Sequence, residues 1–140
     1  MQFSLKTNAK KVRAALKNKG KDVNKSIKRA LSITAQQGIN IIEERTQDGK
    51  GYKGGAFKGY SEKYAKFRRK KGRSQNVDLQ FTGRMLGSMT SKADSKKATI
   101  FFTRAEEAKK AAMNNKTRPF FGFSRKEEKQ LGKVFFRYIK

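Results

Sequence analysis

Seven cations crowd the stretch from Lys63 to Arg73 (Lys63, Lys66, Arg68, Arg69, Lys70, Lys71, Arg73), and no acid interrupts them. Tyr64 and Phe67 are set among them, and Tyr60 stands just before. Guanidinium and ammonium groups neutralise phosphates and aromatic faces accept stacked bases, so this spacing supplies the parts of an anion or nucleic-acid contact. The candidate contact residues are Lys66, Arg68, Arg69, Lys70, Lys71 and Arg73. A solvated helix face followed by a charged loop would have the same local composition. The whole chain argues for more, because 36 basic residues face 11 acidic ones and the formal charge is +25. Solubility needs only a mixed-sign surface. A field this strong attracts anions over a distance and repels copies of the same chain. Residues 1–30 add a second basic block (Lys6, Lys10, Lys11, Arg13, Lys17, Lys19, Lys21, Lys25, Lys28, Arg29) against Asp22 alone.

Reaction chemistry finds little to work with. The chain has no histidine and no cysteine. It therefore lacks the commonest general base and metal ligand, a thiolate metal site and any disulfide. Glu43-Glu44 and Glu106-Glu107 are neighbours in sequence, and on a helix adjacent side chains splay by about 100° rather than converge. Gly49, Gly51, Gly54 and Gly55 match no phosphate-cradling pattern. The expectation is a protein with no enzymatic activity, no cofactor and no metal. No apolar run approaches the ~20 residues that span a bilayer. Met1 to Lys6 does not continue into an apolar signal core, which leads to the expectation of a soluble chain, cytoplasmic when made.

The elements that would position these residues fit one α+β domain over residues 1–140, with a basic glycine- and lysine-rich loop region at about 48–76. Val12, Ala15 and Leu16 give a short helical pattern over 8–18, with Gly20 as its stop. From Asp22, Val23, Ile27, Ala30, Leu31, Thr34, Gly38, Ile41 and Ile42 recur at three- and four-residue steps, predicting a long helix to about residue 46 that ends at Thr46-Gln47-Asp48-Gly49. Five glycines between Asp48 and Tyr60 predict a loop. Ser61 stands where a cap belongs, and Tyr64 and Phe67 share one side of a helix to Arg69. Lys70 to Asn76 reads as an exposed loop. Val77, Leu79 and Phe81 alternate with polar residues, the pattern of a half-buried strand. Thr82-Gly83 marks a turn or bulge, and Met85, Leu86 and Met89 fit either a short helix or a strand. Residues 98–103 (ATIFFT) form the clearest strand, Lys96-Lys97 a turn before it, and residues 105–113 a helix.

The only proline lies in Arg118-Pro119-Phe120-Phe121-Gly122-Phe123-Ser124. Pro119 fixes its own φ and pushes Arg118 out of helical space. Ser124 and Glu127 have the spacing of a capping box. The helix they start carries Leu131, Val134, Phe135, Tyr138 and Ile139 on one face. The stretch therefore reads as a rigid joint, plugged by Phe120, Phe121 and Phe123, that sets a capped helix on a core.

The order of these blocks resembles the virion morphogenesis proteins of tailed phages, the tail-completion or neck family. Asp78, Leu79, Thr82, Gly83, Leu86 and Ser88 in VDLQFTGRMLGSM are similar to one family segment. Asp48-Gly49 with Tyr52, then Tyr60-Ser61 and Tyr64, resemble a second. Arg118, Pro119, Phe120, Phe121, Gly122 and Ser124 resemble a third, which precedes the last helix. Tyr52 stands where relatives carry tryptophan, and residues 105–114 lack their Tyr, His and Gly. The resemblance implies a long N-terminal helix and a C-terminal helix on a small, mainly antiparallel sheet. It also implies a structural subunit of the neck or head-proximal tail end, in a homo-oligomeric ring of about six copies. Such a ring touches neighbouring neck and tail-terminator proteins, and possible phage DNA in its channel, inside the virion after assembly in the host cytoplasm. No membrane is involved. The charge alone supports an alternative, a basic nucleic-acid-binding accessory protein. A tail terminator shares the location but not the motif order.

Overall fold

The computed structural model describes residues 2–6 and 23–139. The pattern over 8–18, and Asp22 as a cap, lie outside the described residues. In chain order the elements are β1 (Gln2–Lys6), α1 (Val23–Gln47), β2 (Lys50–Gly51), β3 (Gly55–Ala56), α2 (Glu62–Lys70), α3 (Arg84–Gly87), β4 (Met89–Ala93), β5 (Lys97–Phe102), α4 (Ala105–Thr117) and α5 (Arg125–Tyr138). The class is α+β, with long α1 and terminal α5 beside a small antiparallel sheet.

The apolar spacing in α1 buries Ile27, Ala30, Leu31, Thr34, Ala35, Gly38, Ile39 and Ile42, while Lys25, Lys28 and Arg29 are exposed. Gly49 ends the segment with φ 75°, and its N–H donates to the Thr46 carbonyl at 2.9 Å. A positive φ at this point suits glycine, which has no Cβ to clash.

The main sheet has the order β1-β5-β4, with both pairings antiparallel. Central β5 places Ala98, Ile100 and Phe102 in the core by its two-residue alternation. Thr99 and Phe101 point to the other face, where Thr99 meets the Ser4 hydroxyl at 3.2 Å and Lys92 lies over the Phe101 ring. Strand β5 starts at Lys97. The turn before it is organised by Asp94, whose Oδ1 accepts from the amides of Lys96 and Lys97 at 2.7 and 2.9 Å. Those two bonds hold the Asp94 carboxyl below its usual range.

Helix α1 packs on β4 and β5, and α5 packs along α1. Ser124 and Glu127 form the capping box at the start of α5: each backbone N–H donates to the other residue's side chain, at 2.8 and 3.2 Å. Leu131 and Phe135 are buried. The joint ahead of α5 is core, with Phe120 at 0%, Phe121 at 5% and Phe123 at 7% exposure. The Phe121 ring lies 5.2 Å from that of Phe102, which ties the joint to the sheet.

Two expectations are corrected. Residues 77–81 are not a strand: Leu79 has φ 55° and no ladder pairs with this segment. Its alternation arises because a side-chain network seats it, described below, and not because a neighbouring strand does. The glycine-rich stretch is not wholly loop either. Lys50 pairs with Ala56 and Gly51 with Gly55 in a hairpin whose strands are two residues long. The ambiguous segment after Gly83 proves to be both elements in succession, α3 and then β4.

Candidate functional site

Helix α2 begins at Ser61, whose Oγ accepts from the Tyr64 amide at 3.3 Å. Its aromatic side is extended by Tyr60 before it and Phe81 beyond it. Tyr60 meets Tyr64 edge-on at 4.9 Å between centroids; Tyr64 stacks with Phe67 at 6.1 Å, and Phe67 with Phe81 at 5.7 Å. The result is a ladder of four rings.

Arg68 builds the support beneath this ladder. It is 1% exposed, and its guanidinium lies 4.9 Å from the Tyr60 centroid and 5.9 Å from that of Tyr64. Its Nε donates to the Ser74 carbonyl at 2.8 Å, its Nη1 to that of Gln80 at 3.0 Å, and its Nη2 to Asp78 Oδ1 at 3.2 Å. This network shapes residues 74–80 without any strand. The Tyr60 hydroxyl accepts from the Leu79 amide at 3.2 Å, which steadies the unusual backbone there. Burial raises the Tyr60 phenol above its usual pKa, although Arg68 opposes the shift.

Arg68 therefore turns inward, and its place among the surface anion contacts is corrected. A buried cation persists only with its partners, and all of this one's are internal. Lys66, Arg69, Lys70, Lys71 and Arg73 are exposed, together with Lys63. Lys71 lies 6.0 Å from the centroid of Phe67 and Arg73 lies 5.1 Å from that of Phe81, so cations flank the ladder.

A groove of about 550 Å³ opens between the ladder and α4. Tyr60, Tyr64, Phe67 and Phe81 line one side, and Glu107, Lys110 and Asn114 line the other. Glu107 is only 3% exposed. Its Oε1 accepts from Lys110 Nζ at 3.3 Å, while its Oε2 has no hydrogen-bond partner among the described residues. Glu106 points to solvent, as the splay of adjacent helical residues requires.

Three segments distant in sequence, residues 48–64, 77–89 and 118–124, converge here. The Tyr52 amide donates to the Pro119 carbonyl at 3.1 Å. A Cβ at Gly51 would stand 2.8 Å from that same carbonyl oxygen, and a Cβ at Gly122 would stand 2.7 Å from the Tyr52 ring. Arg118 donates to the carbonyls of Lys58 and Gly59 at 2.8 and 3.0 Å and lies over the Tyr60 ring at 5.0 Å. Leu86 and Ser88 are buried. The Ser88 hydroxyl donates to the Met85 carbonyl at 2.9 Å, and Thr82 Oγ1 accepts from the Arg84 amide at 3.3 Å beside Gly83 at φ 79°.

Sequence reading gave no role to Arg45 or Glu107. Arg45 closes the joint: its Nη1 donates to both oxygens of Glu127 at 2.5 and 2.6 Å, and its Nη2 to the carbonyls of Phe120 and Gly122 at 2.6 and 3.0 Å. Its partners lie 75 to 82 positions away, so no local spacing announces them. Glu107 is the other; an acid within a run of helix formers gives no sign that it is buried. Among the described residues no group of three His, Cys, Asp or Glu side chains could hold a metal, and no helix is long and apolar enough to cross a membrane.

Comparison with known proteins gives no significant match to a family model, a curated protein or a solved structure.

Proposed function

We propose that this chain is a structural subunit of a tailed-phage neck or head-proximal tail end. Copies form a ring of about six that completes the tail and helps to join it to the DNA-filled head. The supporting observation is the interlock of the three resembling blocks. Residues 48–64, 77–89 and 118–124 are distant in sequence, yet Tyr52 meets Pro119 and Gly122, Arg118 clamps Tyr60, and Tyr60 holds Leu79. Blocks that resemble one family in order, and that also assemble into one structural unit, are the pattern expected of a shared scaffold rather than of scattered coincidences. The α+β arrangement of α1, α5 and the sheet fits the same reading. A ring presents two different faces to its neighbours, and the basic surface left outside the core suits a channel that carries DNA.

The test is genetic and visual. Cells producing the phage without this chain should accumulate filled heads and separate tails in electron micrographs, and supplying the chain in trans should restore joined particles. Normal yields of joined virions without it would overturn the proposal.

A further inference from the structure

We propose that the groove between α2 and α4 binds a base of single-stranded nucleic acid, and that guanine is the base it fits best. Three features of the groove must be satisfied together. Its aromatic wall keeps solvent-facing ring surface, with Tyr64 37% and Phe67 45% exposed. Its α4 wall includes Glu107, whose buried Oε2 has no donor among the described residues. Its remaining charged lining is cationic, Lys110 and Arg118, while Arg68 beneath it is held by its internal partners.

Each simpler ligand satisfies only part of this. A lysine or arginine side chain from another protein would suit Glu107 and the rings, but it would also stand beside Lys110 and Arg118. A bare phosphate would suit the cations and be repelled by Glu107. A nucleotide presents a flat face to the rings, a neutral N–H edge to the carboxylate and a phosphate to Lys110 and Arg118. Guanine carries two donors, N1–H and the 2-amino group, on one edge. Thymine offers a single N–H between two carbonyl oxygens that a carboxylate disfavours. The volume of about 550 Å³ lies in the range of small-ligand sites. The exposed Arg69, Lys70, Lys71 and Arg73 continue the cationic track for neighbouring phosphates. The strand must be single, because a paired base buries both this edge and its faces. Base binding here does not depend on the neck assignment, since it is read on the isolated chain.

Fluorescence anisotropy of the full chain at fixed salt tests this with three probes: labelled oligothymidine, the same strand with one central guanine, and its duplex. The guanine strand should bind at least about fivefold tighter than oligothymidine. Glu107→Gln should remove that preference without weakening oligothymidine binding, because it also removes a negative charge. Phe67→Ala and Tyr64→Ala, both at exposed rings, should each weaken the single strands about fivefold or more and leave the salt slope unchanged. Equal binding of all three probes, lost only on Lys70→Ala or Lys71→Ala, would overturn the proposal. So would sedimentation showing that Tyr64→Ala or Phe67→Ala dissociates a complex of this chain with itself, which would make the groove a contact between copies.

Discussion

At the residue scale, function and stability rest on groups whose partners are remote in sequence. Gly122 packs so closely on Tyr52 that a Cβ would stand 2.7 Å from the ring. Gly122→Ala is expected to cost about 1–3 kcal/mol in urea unfolding, as overpacking does. Much of that loss should disappear in a Tyr52→Ala background; purely additive losses would mean that the two residues do not meet. Glu43 gives a pH signature. Burial, and then the neighbouring Glu44 carboxylate, hold its carboxyl above the usual carboxylate range. The stabilisation associated with a raised pKa is complete below the unfolded-state value and is lost as pH rises through the folded-state value. Glu43→Gln stays neutral throughout. It should match the parent near about pH 3 and be slightly more stable near about pH 7, as followed by thermal melts. A variant less stable at neutral pH would reverse that sign.

At the element scale, what was legible in the sequence was what is decided locally. The capping box of α5 needs only Ser124 and Glu127, three positions apart, and the stripe of α1 needs only its own spacing. Strand β5 announces itself by Thr99, Ile100, Phe101 and Phe102. Residues 77–81 mislead for the opposite reason: their alternation of Val77, Leu79 and Phe81 is real, but groups from outside the segment, the Arg68 guanidinium on the Gln80 carbonyl and the Tyr60 hydroxyl on the Leu79 amide, take the place of a strand partner. The same inward turn removes Arg68 from the anion contacts, although its sequence neighbours are exposed. The groove was half legible. Tyr60, Tyr64 and Phe67 stood out beside the cations, whereas Glu107 and Phe81 enter only when α4 and the irregular segment fold against α2. The aromatic joint is the element on which this packing turns. Phe121→Ala is expected to destabilise by about 3–5 kcal/mol, because the ring is buried against Phe102 and Phe120. A loss below about 1 kcal/mol would place the ring at a surface of the isolated chain.

At the scale of the whole molecule, the charge of +25 governs how copies meet. Self-assembly must overcome mutual repulsion, which salt screens over about 10 Å at 0.1 M. Nucleic-acid binding instead weakens with salt, because counterions are released on binding. Sedimentation of the purified chain should therefore show association that rises with ionic strength, while anisotropy shows oligonucleotide affinity that falls. Parallel trends would indicate that nucleic acid holds the copies together. The proposed placement of this chain in a virion is tested most directly by a cryo-EM map of the intact neck. The neck assignment predicts a closed ring of copies at the head–tail junction into which α1, α5 and the three-stranded sheet fit without rearrangement. A neck map whose every ring is accounted for by other chains would contradict it.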